Sequence, residues 1–395
     1  MKSIAFYLVF AYCFIAQTQA QHQPKAKTTL PFELIEDKYI LIKASVNGLD
    51  TLTFYFDTGA TTTLLDSKVA AKLGIEPDYN EEVQGASGAV TYRIALNQQI
   101  NLPNLQIDSV HIVLDDLTRL RHAGGMHYDG IIGNDIIQTH ITEVDITNRR
   151  INLYPFEQAP DFKNYTTHVF EFLNDIPIPV LPATITLQNT QKFTDNVLFD
   201  SGAGLTLLVN TPFRKEHRIL EQSPKSMTSR SNNLSSSTVN HIVAIEQLEF
   251  ESHTFPQMPV FLASDEQGVS GFKGYLGILG AEIINRFDYV LNYETHTLYL
   301  KPNAFYTASF IFPVSGIRLR HDEQGQVVIM DVYEGSDAYK KGLRVNDVIV
   351  AIDNKSASIH EYRRLLNQQD RNKLTVSVKT AKGVKKHSIQ LKRLI

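Results

Sequence analysis

Two aspartates in this chain sit in nearly the same words. Asp57 lies in FYFDTGATTTLLD (54–66) and Asp200 in VLFDSGAGLTLLVN (197–210). In each, a carboxylate leaves an apolar strand, a small hydroxyl residue follows, and a glycine permits a tight turn. One such aspartate alone reads as a structural turn that caps backbone N–H groups. Two copies related by a pseudo-twofold axis would put equivalent loops face to face. Asp57 and Asp200 would then share one proton, because two carboxylates a few ångströms apart cannot both ionise. The ionised member can take a proton from water, and the protonated one can donate to a carbonyl oxygen. That is general acid–base hydrolysis of an amide with no covalent intermediate.

The elements around the two aspartates repeat as well. Asp57 and Asp200 are 143 residues apart. Ile131-Ile132-Gly133-Asn134-Asp135-Ile136-Ile137 matches Ile278-Leu279-Gly280-Ala281-Glu282-Ile283-Ile284 at an offset of 147, and VDITNRRINLYP (144–155) matches LNYETHTLYLKP (291–302) at the same offset. Three motifs in one order at near-constant spacing predict two homologous lobes, 30–155 and 165–303. Both lobes read as β, with runs such as YILIKASV (39–46) and TLTFYF (51–56) broken by turns such as Asn47-Gly48. Short helices are expected at Ser67–Leu73, Asn134–Thr139 and Glu282–Arg286, with Gly74 as a stop. The polar stretch SMTSRSNNLSSST (226–238) reads as a mobile loop or hairpin tip without core character.

With these motifs in place, the chain resembles an aspartic protease. DTGATTTLL is similar to the retroviral type, and two lobes in one chain are similar to pepsin. The resemblance spans about residues 30–303 and implies a mainly β, bilobal aspartic-protease (retropepsin-like repeat) fold. It implies an endopeptidase acting on a polypeptide substrate through Asp57 and Asp200, with Thr58, Gly59, Ser201 and Gly202 supporting the dyad loops. Gly133 and Gly280 are its second-motif glycines. Its cleft-covering hairpin would be Glu81–Arg93, with Gly85 and Ser87 at the tip and Tyr92 over the dyad. An ordinary strand tyrosine is the plainer reading of Tyr92. The lobe 2 counterpart would be the 229–238 loop.

Departures from the pattern carry expectations of their own. Ala60 and Ala203 stand where pepsin often has a hydroxyl that donates to the catalytic carboxylate. Fewer donors to the charged form raise the pKa values of the dyad, so activity is expected at weakly acidic to neutral pH. Gly204 stands where lobe 1 has Thr61, which suggests a less rigid hold on Asp200.

From about residue 310 the pattern changes. EGSDAYKKGLRVNDVIVAIDN (334–354) is followed by a helical pattern at Ile359–Leu366 and strands at Leu374–Lys379 and Lys386–Leu391. Val348, Val350 and Ile352 are expected to alternate inward. Gly335-Ser336, Ala338, Gly342-Leu343, Asp347, Ile349 and Ile352 resemble the central pattern of a PDZ domain, placed at 310–395. Asn346 replaces a usual glycine, which its tolerance of left-handed backbone permits. The resemblance implies that a peptide C-terminus adds as a strand, its carboxylate held by the loop at Ser315, Gly316 and Ile317. A structural or regulatory contact with the protease lobes is the other reading.

The bulk numbers bound the rest. With 38 basic and 42 acidic residues the formal charge is −4, which points to neither nucleic acid nor an acidic membrane surface. Lys2, an apolar run from Ile4 to Ala16 and Gln17-Thr18-Gln19-Ala20 read as a signal peptide over 1–20. Export to the periplasm or outside is expected, with a retained N-terminal anchor as the alternative. The single cysteine, Cys13, lies in that run, so no disulfide or thiolate chemistry is expected of the mature chain. His122 and His127 lack a third ligand pattern and read as solvated loop residues. No cofactor or metal is expected, and a monomer is. The rival function is a non-catalytic peptide-binding protein that uses the cleft and the PDZ domain.

Overall fold

The computed structural model describes residues 26–395 apart from 86–87, 174–175, 233–236 and 267. Ser87 and the predicted signal segment lie outside the described residues. The fold is mainly β.

In lobe 1, six strands close into a barrel: Tyr39–Val46, Leu49–Phe56, Gly130–Ile132, Leu64–Asp66, Leu105–Asp115 and Gly88–Leu102, the last pairing back to the first. The first two are joined by Asn47 and Gly48, both at positive φ (54° and 69°). That is the turn chemistry a two-residue hairpin demands. Phe54, Phe56, Ile112 and Ile132 fill the interior. Lobe 2 builds an open sheet in which Lys192–Phe199 pairs in parallel with Gly277–Leu279. Its register, Val197↔Gly277 to Phe199↔Leu279, repeats the Phe54↔Gly130 to Phe56↔Ile132 register of lobe 1.

The lobes share a sheet beneath the cleft. Ile141–Asp145 pairs antiparallel with Phe287–Asn292 through Thr142↔Leu291, Glu143↔Val290 and Val144↔Tyr289. Moving each member of the last pair by the repeat offset of 147 yields the first pair, so the register is its own image under a twofold rotation. The axis of the repeat passes through this pairing.

The expected short helices form at Ser67–Lys72, Asn134–Ile137 and Ala281–Ile284. Asp66 caps the first by accepting from the Lys68 and Val69 amides, and Gly74 follows it at φ 69°. A further helix, Thr118–Gly124, occupies what reads in sequence as a loop around His122. Its apolar positions are too few to declare it.

The C-terminal domain has its own core of Ile317, Leu319, Ile329, Leu343, Ile352, Leu366, Val376 and Ile389. The helix Ile359–Leu366 and the strands Lys373–Thr380 and Gly383–Gln390 fall where the pattern placed them. Asn346 takes φ 69°. Ile352 is buried as expected, but the Val348/Val350 part of the alternation is corrected: with a register irregularity between Ile349 and Ala351, Ile349 is buried in their place. The segment 226–238 also differs from its reading. Ser226–Asn232 and Ser237–Ile245 pair as strands, and Met227 and Ser229 are buried. The sequence hid this because the Ser229 hydroxyl and the Arg230 amide find their partners, Arg318 and Asp331, in a neighbouring domain that local patterning does not reveal.

Candidate active site

Asp57 and Asp200 leave their strands through matched hydrogen bonds. The Asp57 amide donates to the Ile132 carbonyl and the Asp200 amide to the Leu279 carbonyl, each at 3.1 Å. Beyond each aspartate the chain turns. Gly59 N–H donates to Asp57 Oδ1 at 2.7 Å, and Gly202 and Ala203 donate to Asp200 Oδ1 at 2.8 and 2.9 Å.

Each loop glycine covers the carboxyl group of the other lobe. A Cβ on Gly59 would overlap the Asp200 carboxyl, and one on Gly202 would overlap that of Asp57. The two carboxyls are therefore in contact, and only glycine fits over them. Thr58 and Ser201 join the loops across the axis. The Thr58 amide donates to Ser201 Oγ (3.1 Å) and the Ser201 amide to Thr58 Oγ1 (2.9 Å). Thr58 Oγ1 also donates to the Phe199 carbonyl at 2.8 Å.

The second-motif glycines stand behind these loops. A Cβ on Gly133 would press on the Ala60 and Thr62 carbonyls, and one on Gly280 would overlap those of Ala203 and Leu205. Asn134, which the sequence reading did not single out, donates from Nδ2 to the Thr58 carbonyl at 2.7 Å and accepts from the Tyr293 hydroxyl at 2.7 Å. Its lobe 2 counterpart is Ala281, so the mismatch between repeats was its only signal. Tyr55 was also missed. Its hydroxyl donates to the Gly202 carbonyl of the other lobe at 2.7 Å, and its ring meets Tyr39 and Tyr128. Gly204 does not leave a slack loop: the Tyr39 phenol fills the space beside it so closely that a Cβ there would overlap it.

Burial raises the pKa of both aspartates. Asp200 is raised well above the usual carboxylate range, first by desolvation and then by the facing charge of Asp57. The backbone amides of Gly59, Ala60 and Gly202 pull Asp57 back down, and so does its hydrogen bond with Asp200. The two carboxyls face each other and titrate as a pair, which resists carrying two charges at once.

A cleft of about 1040 Å³ opens over the dyad loops, lined there by Asp57, Gly59, Gly202 and Ala203. The hairpin of Tyr79–Gly85 and Gly88–Leu102 lines one side, with Tyr92 opposite Glu81 and both residues facing the cleft. The Thr118–Gly124 helix supplies Leu120, Ala123 and Gly124. The C-terminal domain reaches in with Arg318 and Met330. Arg318 is held by the Ser229 hydroxyl (2.6 Å) and the Arg230 carbonyl, while Arg230 N–H donates to Asp331 at 2.9 Å. None of the three predicted carboxylate-loop residues lines the cleft. Ser315 is buried, and its Oγ accepts from the Ile317 amide at 3.2 Å. Gly316 takes φ 71° against Ser336. Among the described residues, no three His, Cys, Asp or Glu side chains gather as a metal site.

Comparison with known families agrees with this architecture. The family described as aspartyl protease matches residues 42–136, which include Asp57 and Gly133. The family described as PDZ domain matches residues 328–380. An aspartyl protease domain and a PDZ domain are thus detected in the chain, and the fold supplies the second lobe. No curated protein matches it.

Proposed function

We propose that the protein is an aspartic endopeptidase that hydrolyses peptide bonds with a water activated by Asp57 and Asp200. The observation that carries this reading is the mutual burial of the two carboxyls under each other's loop glycines. The ionised member of the pair takes the proton from water. The protonated member donates to the carbonyl oxygen of the scissile amide. The tetrahedral intermediate then collapses as the amine leaves with a proton from the dyad. The backbone amides around Asp57 and Asp200 hold both carboxyls for this exchange without metal or cofactor.

An extended polypeptide is the substrate class that suits a cleft walled by a β-hairpin on one side. The PDZ domain takes part in substrate engagement through Arg318 and Met330. We also propose export, on the apolar segment at 1–20, and a monomeric state in which one chain supplies both aspartates. Among the described residues, no helix is long and apolar enough to cross a membrane.

The test is cleavage of a mixed peptide library between about pH 3 and 8, a range spanning the titration of ordinary and raised carboxyls, beside Asp57→Asn and Asp200→Asn. Cutting by the parent with both variants silent supports the dyad. Binding of peptides with no cleavage by any of the three replaces it with the peptide-binding alternative.

A further inference from the structure

The PDZ strand Ile317–His321 pairs with Val327–Val332 and packs on its other flank against the Ile359–Leu366 helix. A peptide would add its backbone in that groove. Lobe 1 packs against the strand and the helix that flank it. Arg363 on the helix donates from Nη2 to the Leu319 carbonyl of the strand (2.9 Å) and to the Ala123 carbonyl of lobe 1 (2.6 Å). Its Nη1 donates to the Gly124 carbonyl (2.7 Å) and to Glu36 Oε1 (2.9 Å). Ala123 and Gly124 close the Thr118–Gly124 helix, where helices leave carbonyls without partners and favour a cation. Gly125, at φ 73°, sits so close to Ile359 that a side chain there would press into it. His360 pairs with the same Glu36 at 2.6 Å.

We infer that the working ligand of the PDZ groove is the chain's own 118–125 segment, which the groove clamps as one wall of the substrate cleft. Leu120, Ala123 and Gly124 from this segment, with Met126 next to it, line the cleft that Asp57 also lines. A peptide C-terminus can enter the groove only by displacing them. Tail binding and cleft width are therefore coupled, and the PDZ domain shapes the site instead of recruiting substrate to it. The consequence for cleavage rests on the proposed hydrolytic function, whereas the clamp itself does not.

The test compares the parent with Arg363→Ala and with Arg363→Lys, which keeps the charge and loses the forked donors. Hydrogen exchange at 118–125 is expected to rise at least about tenfold in Arg363→Ala, a shift equivalent to roughly 1.4 kcal/mol. Arg363→Lys should fall between, and residues 39–56 should be unchanged. In fluorescence anisotropy, a labelled decapeptide ending in two leucines with a free carboxyl should bind Arg363→Ala at least about tenfold tighter than the parent. Its amidated form should bind neither. Unchanged exchange at 118–125, or equal binding by parent and variant, overturns the clamp. If Arg363→Ala fails to fold, the same two readings on Arg363→Lys decide. An inactive parent would count against the hydrolytic function alone, because neither readout needs cleavage.

Discussion

Removing the two hydroxyls that join the dyad loops should cost unequal amounts. Thr58→Val deletes an oxygen that donates to the Phe199 carbonyl (2.8 Å) and accepts from the Ser201 amide (2.9 Å). Ser201→Ala deletes one that accepts from the Thr58 amide at 3.1 Å. Both side chains are buried, so water does not replace the lost oxygen. A buried polar group left unsatisfied costs about 1–3 kcal/mol. Thr58→Val strands two groups and should lose about 2–6 kcal/mol, whereas Ser201→Ala strands one and should lose about 1–3 kcal/mol. The assay is urea unfolding at constant pH, followed by tyrosine fluorescence and far-UV circular dichroism. Because the two hydroxyls share one network, the double variant should depart from additivity by about 0.5–3 kcal/mol. Equal single losses, a larger loss for Ser201→Ala, or strict additivity would refute the asymmetric lock.

The raised dyad sets the pH behaviour. Activity should fall on the acid side as the pair takes up its second proton and on the alkaline side as it loses its last, with both limbs above the ordinary carboxylate range; a peak below about pH 4 contradicts this. A carboxyl raised on folding binds its proton more tightly in the native state, so its contribution to stability declines as pH rises from about 4. Asp200→Asn removes that decline, and its melting temperature at neutral pH should exceed the parent's; a lower one counts against the raised value. Glu36 behaves oppositely. Burial would raise it, but His360 and Arg363 hold it below its usual value, so the clamp should persist above the ordinary carboxylate range and weaken as acid protonates Glu36. Exchange at 118–125 measured across that range reads the loss. Arg318→Met should lower kcat/KM for peptides with an acidic residue by about tenfold relative to neutral ones, as loss of one charge-assisted contact does, and an unchanged ratio would remove Arg318 from substrate recognition.

The dyad was legible because chemistry and duplication are both written locally: two D-[TS]-G loops, two apolar-apolar-glycine motifs and a constant offset. The same holds for Asn47-Gly48, Gly74, Asn346 and the Ile359–Leu366 helix, whose backbone demands or periodicity lie within a few residues. What escaped depends on partners distant in sequence. Tyr39 and Gly204 fit each other across the two lobes, and Arg363 meets Ala123 and Gly124 across two domains. The 226–238 segment read as lacking core character because the groups that Ser229 and Arg230 meet, Arg318 and Asp331, belong to the distant PDZ domain. The Val348/Val350 alternation failed at a backbone irregularity that side-chain type does not announce.

The inter-lobe strand pairing, whose register maps onto itself under rotation, has a consequence for how the two halves can differ. Two identical half-chains could make the same pairing as separate molecules, but every substitution would then appear at both sites together. Joined in one chain, each position is free to specialise. Gly204 can yield its space to Tyr39 while its counterpart remains Thr61. One hairpin can stay over the cleft while its twin, at Ser226–Asn232, is tied through Ser229 and Arg230 to a third domain. Covalent linkage thus lets a twofold fold become two unlike halves, one with a hairpin along the cleft and one tied to the PDZ domain, at no change to the pair of carboxyls on the axis.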